Sequence, residues 1–369
     1  MCSSKKYKVL YMPSTPLNLL VSVAHAAAHA TEQEAQLVFI DQKNTQENVY
    51  FNALKSWQSS PFEQVALTSG NAKGVHKLNE RKANFVKLAG LIKSFPADAI
   101  AVGSDRRVEF QYLMHLRAVV SDGVEGWYLD DGLYSYAGRP YKRFKDSVNS
   151  VLKKISYGFW WQEPKTVGAS KWIKQVWLFS PEKAIRELQK KQLHIINPKW
   201  FEIPSVRLFS EQVLTNFGLA EVEQNNIKSV DLFLLIPHPN NIKKMEGYED
   251  RLNMFLSQIK KSGLKVAIKY HPRSKGKDDL NLSERYNALI LPKDMAFEFI
   301  LPLINRNAAI VGDVSTVLLS VKWLRPDLVA VAVLVEHDHF AQNFSEILDG
   351  FGVLVLNSFT SVYERFYAQ

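Results

Sequence analysis

In the first half of the chain, short apolar segments of strand length alternate with longer segments whose apolar positions recur at helical spacing. The first helical segment opens with Ser14-Thr15-Pro16, a capping residue followed by a proline at an early helical position. Such alternation predicts a parallel sheet with helices on both faces. The predicted strands are Lys8–Met12, Ala35–Ile40, Gln64–Thr68, Ala99–Gly103 and Gly126–Leu129, and the predicted helices are Pro16–Ala30, Val75–Phe95 and Glu109–Val120.

The second half repeats this pattern, and a length of 369 residues fits two domains better than one core. We therefore predict an α/β protein with two doubly wound, Rossmann-like domains at residues 1–185 and 186–355, facing a central cleft in which a small molecule would bind. Residues 356–369 are expected to form a helix that returns to the first domain. The predicted strands of this half are Asp231–Ile236, Lys265–Lys269, Ala288–Leu291, Ala308–Val311, Leu328–Leu334 and Gly352–Leu356, and the predicted helices are Glu249–Lys261, Met295–Ile304, Thr316–Leu324 and Ala341–Leu348.

Residues 139–230 break the alternation and hold most of the tryptophans together with many basic residues. We interpret this stretch as helices and the connection between the domains. The whole chain carries a net charge of +9, which suits nucleic acid, anionic lipid or an anionic substrate, or is simply a basic surface. Its basic residues are not organised into a known nucleic-acid reader motif, so nucleic acid is not an expected partner.

Composition narrows the cellular setting. The hydrophobic fraction of 46% and the charged fraction of 22% are those of a soluble globular protein. Cys2 is the single cysteine, which excludes an intramolecular disulfide and a cysteine-based zinc site and favours a reducing, cytoplasmic compartment. The sequence shows no N-terminal signal and no apolar run of membrane-spanning length.

Asp130-Asp131-Gly132 follows the predicted strand that ends at Leu129. Neighbouring carboxylates repel when both are ionised, so one is expected to have a raised pKa, as a general base requires. The glycine permits a sharp turn just after them. Two alternatives stay open at this point: an ordinary surface turn, or a pair of metal ligands.

A second polar cluster follows the predicted strand Lys265–Lys269. Pro272 favours an extended conformation for His271. In an extended stretch Lys269, His271 and Arg273 would share one face, and three cations on one face predict a phosphate clamp. The alternative is a basic edge strand with an incidental histidine.

A third cluster, Ser315-Thr316, lies between the strand that ends at Val311 and an apolar helix. Hydroxyls and backbone N–H groups at a helix N-terminus form an anion site, although the pair taken alone is better explained by an ordinary helix cap. Glu298, early in a predicted apolar helix, is a candidate to bind a ribose diol. Asp105 and Arg106 follow the strand that ends at Gly103 and are candidates to line an acceptor site.

The order of Ser14-Thr15-Pro16-Leu17, Asp130-Asp131-Gly132, His271-Pro272 and Ser315-Thr316 resembles the bacterial inverting sialyltransferases, which include capsular polysialyltransferases and lipooligosaccharide sialyltransferases. That family has a two-domain GT-B fold. The resemblance implies that Asp131, or failing that Asp130, is the catalytic base and that His271 stabilises the departing CMP. It further implies nucleotide contacts by Lys269, Pro272, Arg273, Glu298, Ser315 and Thr316, and donor-sugar or acceptor contacts by Ser14, Thr15, Asp105 and Arg106.

The resemblance also implies the substrates. The donor would be a CMP-activated nonulosonic acid, the acceptor a glycan or glycolipid hydroxyl, and neither a metal nor another cofactor is expected. Electrostatic donors such as histidine and hydroxyls suit a departing phosphate. The alternatives are a GT-B transferase that uses CMP-Kdo or a UDP-sugar, and a non-catalytic protein of this fold that binds nucleotide or glycan.

Acceptors of this family are often lipid-linked, which implies work at the inner face of the cytoplasmic membrane. We hypothesise that Lys153, Lys154, Trp160 and Trp161 touch anionic lipid, because basic and aromatic residues together favour a headgroup interface. The alternative is that the tryptophans pack internally and the lysines are solvated.

Overall fold

The computed structural model describes residues 6–120, 123–139, 143–313, 315–334 and 339–367, and the chain divides into two compact units with the boundary between Phe209 and Ser210. The first unit contains a parallel sheet. Its strands are β1 (Tyr7–Met12), β2 (Gln33–Gln42), β3 (Phe62–Ser69), β4 (Ala99–Val102), β5 (Glu125–Leu129), β6 (Ile173–Leu178) and β7 (Gln192–Ile195). They are arranged in the order β3-β2-β1-β4-β5-β6-β7.

Helices link these strands as the alternating pattern predicts. They are α1 (Pro16–Ala28), α2 (Val49–Ser56), α3 (Gly74–Ser94), α4 (Val108–Val120), α5 (Tyr134–Ala137), α6 (Arg143–Tyr157) and α7 (Arg186–Gln189), and α8 (Pro204–Asn216) crosses the boundary between the units. Two short 3-10 turns occupy Pro181–Lys183 and Pro198–Glu202. Residues 9–12 of β1 and all of β4 are apolar and fully buried, so the core lies on both faces of these strands.

The second unit contains a parallel sheet of order β10-β9-β8-β11-β12-β13. Its strands are β8 (Leu232–Leu235), β9 (Val266–Lys269), β10 (Leu289–Leu291), β11 (Ala309–Gly312), β12 (Val329–Val333) and β13 (Leu354–Leu356). Its helices are α9 (Glu221–Lys228), α10 (Pro239–Ile242), α11 (Tyr248–Lys261), α12 (Leu282–Tyr286), α13 (Thr316–Leu324), α14 (His339–Gly350) and α15 (Phe359–Phe366). Two doubly wound, Rossmann-like sheets are thus confirmed.

Strand register determines which loops meet. In the first sheet Met12 of β1 pairs with Val102 of β4, which pairs with Tyr128 of β5, so the loops after these strands start at one level. In the second sheet Leu235 of β8 pairs with Lys269 of β9 and with Gly312 of β11. The carboxyl ends of each sheet therefore collect the polar clusters that the sequence places after its strands.

The expected domain boundary lies too early in the sequence. β6 and β7 pair with each other and with β5, so they belong to the first sheet and carry the first unit past residue 185. The interpretation of residues 139–230 as helices and connection missed both strands. β7 is an edge strand with half-exposed and exposed positions, so its short sequence lacks the apolar run that marks a central strand.

Two expectations about helices need correction. The segment Met295–Ile304 forms 3-10 turns at Phe297–Phe299 and Leu301–Leu303 in place of one α-helix, because Pro302 cannot donate a backbone hydrogen bond inside a helix. The C-terminal helix α15 was expected to return to the first domain. Phe359 instead stacks on Phe255 of α11, 5.1 Å between ring centroids, within the core of the second unit.

A buried histidine lies between α1 and the first sheet. His25 is 1% exposed, its Nδ1 lies 2.7 Å from the hydroxyl of Tyr11, and its ring stacks on His29 at 4.4 Å. Burial, reinforced by the neighbouring His29 and His194, holds the pKa of His25 well below its usual value. His25 is therefore uncharged in the native protein.

We expect the presence of His25 to lower the free energy of unfolding, relative to a chain without this histidine, as the pH falls from 7.5 to 5.5. The unfolded chain takes up a proton at His25 near pH 6.5 while the native chain does not, so acid favours the unfolded state, by at most about 1.4 kcal/mol per pH unit for one proton. Urea denaturation of the wild-type chain and of His25→Gln at several pH values measures this slope. The slope should shrink in His25→Gln and stay unchanged in the exposed control His76→Gln; equal slopes in all three chains would contradict the assignment.

Candidate active site

The loop after β1 meets the loop after β5 through a side-chain hydrogen bond. Thr15 caps α1, and its Oγ1 accepts from the backbone N of Asn18 (3.2 Å) while donating to Asp131 Oδ1. Asn18 Nδ2 donates to the carbonyl of Leu129 (3.4 Å) at the end of β5. A Cβ at Gly103, which follows β4, would lie 2.4 Å from the Asn18 side chain, so the close approach of the three loops requires a glycine there.

The two neighbouring aspartates have different environments. Asp130 is fully buried, and its carboxylate accepts from Ser135 Oγ (2.7 Å), Gly132 N (3.2 Å), Phe179 N (3.3 Å) and the Tyr136 hydroxyl. Burial raises its pKa to about 6 although these hydrogen bonds oppose the shift. Gly132 has φ +126°, which turns the chain directly after the pair.

Asp131 is half-buried and lines a cavity of about 360 Å³. The other lining residues include Gly103 and Ser104 after β4, Gly132 and Tyr134, and four cationic side chains from Arg106, Arg107, Arg139 and Lys153. A carboxylate beside cations at the carboxyl edge of a parallel sheet can accept a proton from a bound hydroxyl and can face an anionic molecule. Since all four bonds to Asp130 come from the protein itself, Asp131 is the better placed of the two to act as a base.

A buried carboxylate holds three of the cavity cations. Glu163 accepts from Arg106 Nε (2.9 Å) and Lys153 Nζ (3.1 Å), and Arg139 Nη1 lies 3.7 Å from it. Arg107 bonds to Asp41. These bonds fix the direction of the cations at the cavity wall.

The expected acceptor-side residues divide into two groups. Thr15 and Arg106 are part of the Asp131 site, and Ser14 holds the adjoining loop through its carbonyl, which accepts from Gln42 Nε2 (3.2 Å). Asp105 is fully buried, and its carboxylate accepts from the backbone N of Gly168 (2.9 Å) and Ser170 (2.7 Å). It organises that loop and does not line the cavity.

The second unit contributes a histidine pair. His271 follows β9, and its Nδ1 accepts from the backbone N of Arg273 (3.1 Å); His238 follows the neighbouring β8, and its Nδ1 accepts from the backbone N of Asn240 (3.0 Å). The two rings lie 4.7 Å apart. Burial first, then His238, Arg273 and Lys269, lower the pKa of His271. The neutral ring then carries its proton on Nε2, as a hydrogen-bond donor.

His238 is a site residue that the sequence pattern signals but that was not among the predicted residues. His238-Pro239 repeats the dipeptide His271-Pro272, and each pair follows a strand of similar apolar character. Because β8 and β9 are neighbours in register, the two histidines meet at one edge. The cavity cations Arg139 and Lys153 were also missed as site residues, since no predicted strand end precedes them and they lie in the stretch interpreted as the connection between the domains.

The predicted clamp of Lys269, His271 and Arg273 on one extended face is wrong. β9 ends at Lys269 and the chain turns at Pro272 and Arg273, which are exposed. Lys269 is 7% exposed, and its ammonium donates to the carbonyls of Tyr270 (3.0 Å) and Lys293 (2.6 Å). Burial lowers its pKa to about 8. Through these two hydrogen bonds Lys269 stabilises the chain at the end of β9.

Glu298 and the hydroxyl pair lie around α13. Ser315 caps this helix by accepting from Val317 N (3.2 Å), and Thr316 is its exposed first residue. Glu298 accepts from Ser320 Oγ (3.0 Å) one turn further along, and burial raises the pKa of Glu298. The carboxyl edge of the second sheet thus presents an imidazole pair near β8 and β9 and a helix N-terminus after β11, a combination that suits a phosphate.

Two of the four residues expected at a lipid surface are internal. Trp161 is fully buried, and Lys153 bonds to Glu163 and lies 4.1 Å from the centre of the Trp161 ring.

Within the described ranges, no helix combines the length and apolar character needed to cross a bilayer. Across the same residues, no group of three or more His, Cys, Asp or Glu side chains is arranged to hold a metal ion.

Comparison with known proteins gives a family match and many matching solved structures, including two with TM-scores above 0.5. A family model described as Alpha-2,8-polysialyltransferase (POLYST) matches residues 14–334. A solved alpha/beta-galactoside alpha-2,3-sialyltransferase from the luminous marine bacterium Photobacterium phosphoreum has 12% identity and a TM-score of 0.55, with 95% of this chain and 99% of that chain covered. A UDP-GlcNAc 2-epimerase from Methanocaldococcus jannaschii has 13% identity and a TM-score of 0.52, with coverages of 97% and 91%. No curated protein sequence matches the chain.

At these identities the structural neighbours establish the fold alone. Together with the two parallel sheets, they confirm the predicted GT-B class.

We expect Asp130→Asn to destabilise the fold by about 2–4 kcal/mol at pH 7.5, whereas Asp131→Asn should change stability by less than about 1 kcal/mol. An amide at position 130 would direct its N–H groups at donors that now bond to a carboxylate oxygen. Asp131 is half-exposed at the cavity wall and tolerates the amide. Urea denaturation of both variants measures the difference; equal losses would contradict the division between them.

Proposed function

This chain belongs to the alpha-2,8-polysialyltransferase family and is a sialyl-type glycosyltransferase, and from this we propose that it transfers a sialic or related nonulosonic acid from a CMP-activated donor to a glycan hydroxyl with inversion. The observation that carries the assignment of roles is the contrast between Asp130, whose carboxylate is saturated by four bonds, and Asp131, which lines a cationic cavity beside Thr15. Cell-surface polysaccharide or lipooligosaccharide is the product class that the family implies.

Asp131 acts as the base in this proposal. Its carboxylate takes the proton of the acceptor hydroxyl while that oxygen forms the new bond to the anomeric carbon, and the bond from that carbon to the CMP phosphate breaks in the same displacement. The hydrogen bond from Thr15 orients the carboxylate. One displacement from the face opposite the leaving group inverts the anomeric centre.

The acceptor lies in the cavity of the first unit. Arg106, Arg107, Arg139 and Lys153 suit a glycan that carries carboxylates, because cations already held by Glu163 and Asp41 bind an anion with little loss of side-chain entropy. A sialylated glycan terminus is one such acceptor.

The second unit binds the nucleotide. His271 and His238 offer Nε2–H groups to the phosphate, and Ser315 and Thr316 add the N-terminus of α13. Lys269 supports the strand end, Arg273 lies exposed beside His271, and Glu298 is kept as the ribose ligand. These donors meet the charge of the departing CMP, so the proposal includes no metal and no other cofactor.

The proposal also includes peripheral contact with the inner face of the cytoplasmic membrane. A glycolipid acceptor would present its hydroxyl from that surface. A basic protein is attracted to the anionic lipids of that leaflet.

Asp131→Asn should lower the turnover number by at least about a hundredfold, because general-base catalysis contributes about 10²–10⁴. CMP affinity should stay within about twofold of wild type, since the nucleotide ligands are on the other unit. CMP release from CMP-sialic acid with a sialylated oligosaccharide acceptor measures turnover, and calorimetry measures binding. Unchanged turnover would remove Asp131 from the mechanism.

Calorimetric titration should show CMP binding more tightly than UDP.

His271→Asn and His238→Asn should each weaken the binding of CMP about five- to fiftyfold, because each removes one hydrogen bond to a charged group, a loss of about 1–2.5 kcal/mol. Asparagine retains an acceptor for the backbone N–H that now bonds to Nδ1. His115→Asn, in the first unit, is the control and should bind CMP as wild type does. Tighter binding of UDP would redirect the donor assignment, and wild-type affinity in His238→Asn would exclude that histidine from the nucleotide site.

A further inference from the structure

Helix α6 exposes its apolar face to solvent, whereas an ordinary amphipathic surface helix buries that face. Two charged residues of α6 point into the protein: Asp146 is 3% exposed and bonds to Arg139 (2.6 Å), and Lys153, seven residues later, bonds to Glu163. Its apolar residues point outward. They recur at helical spacing as Phe144, Val148, Val151, Leu152 and Ile155, and Phe159 continues the series after the helix ends.

The exposure of this apolar stripe is large. Phe144 is 84% exposed, Ile155 is 75% exposed and Phe159 is 89% exposed. Single exposed apolar residues are normal on protein surfaces, but a continuous stripe along one helix marks an interaction site. The internal ion pairs hold the helix in this orientation, so its apolar face cannot turn inward without breaking them.

The surrounding charge identifies the partner. Residues 139–157 contain six basic residues against one acidic residue, Asp146. Arg139 and Lys153 pair with Asp146 and Glu163, so the excess positive charge of this segment comes from Lys142, Arg143, Lys145 and Lys154. If two copies of the chain paired through this stripe, they would bring two such basic segments together. An anionic lipid surface instead neutralises the cations and accepts the apolar side chains.

We infer that the outer face of α6 is a membrane-docking surface that inserts Phe144, Val151, Leu152, Ile155 and Phe159 into the headgroup region of an anionic bilayer. The helix has 15 residues, about 22 Å at 1.5 Å per residue, so it lies in the plane of the interface and does not span it. The inference deepens the proposed function, on which its link to a glycolipid acceptor rests.

The inner face of the same helix forms part of the Asp131 cavity. Lys153 lines that cavity from α6, and Arg139, which bonds to Asp146 of the helix, lines it as well. Docking through the outer face therefore brings the cavity close to the bilayer surface, where the hydroxyl of a lipid-linked glycan would be presented.

Vesicle sedimentation tests the surface. The full chain should sediment with vesicles of equal parts phosphatidylglycerol and phosphatidylcholine, more weakly with phosphatidylcholine alone, and less as salt is raised. The double variant Ile155→Asp, Phe159→Ser should lose at least tenfold in affinity for the anionic vesicles. Met254→Asp, which places the same charge at an exposed apolar position on α11, should sediment as wild type does.

Three results would overturn the inference: no sedimentation of the wild-type chain, equal sedimentation of the double variant, or a self-association by analytical ultracentrifugation that the double variant abolishes. The last result would make the stripe an interface between copies. Circular dichroism confirms that the variants fold. CMP release with a soluble oligosaccharide acceptor should be the same in wild type and the double variant. If the wild-type chain released no CMP, the catalytic proposal would be refuted. The vesicle-binding result would still stand, because it is measured separately.

Discussion

Parallel strand pairing is the constraint on which the rest of this structure depends. In each sheet the neighbours run in one direction and in register, so the loops that leave their carboxyl ends begin at the same level. Thr15 and Asp131 are 116 residues apart in sequence and share a hydrogen bond for this reason. The same constraint places His238 beside His271 in the second sheet. Each unit thus brings together side chains that no local segment could.

Burial gives the two adjacent aspartates different tasks. Asp130 takes the inner position, where protein donors saturate its carboxylate, and it ties the loop after β5 to the start of the segment after β6 through Phe179. That fixed loop turns Asp131 outward, toward Arg106 and the other cavity cations. A carboxylate that holds a loop must be buried among protein donors, whereas a carboxylate that accepts a proton must reach the cavity. The turn at Gly132 allows both arrangements in adjacent residues.

The inverted amphipathicity of α6 links the cavity to a lipid surface in our proposal. An ordinary helix would bury its apolar stripe, but here buried ion pairs with Glu163 and Arg139 occupy the inner face. Removing one partner of such a pair leaves an uncompensated charge, which is costly. The apolar residues of α6 therefore remain exposed. Arg139 and Lys153, which hold the helix in place, also line the Asp131 cavity.

The sequence by itself determined the two doubly wound sheets, because buried parallel strands such as β4 and β8 need continuous apolar runs that are visible without a structure. It also located Asp131, His271 and Ser315, since polar residues stand out directly after such runs. Only the tertiary structure decided which aspartate is saturated, that Asp105 is internal, that Lys269 is bound to carbonyls and that β6 and β7 extend the first sheet. Those outcomes depend on contacts between residues far apart in sequence, and burial and hydrogen-bond partners of that kind leave no local pattern.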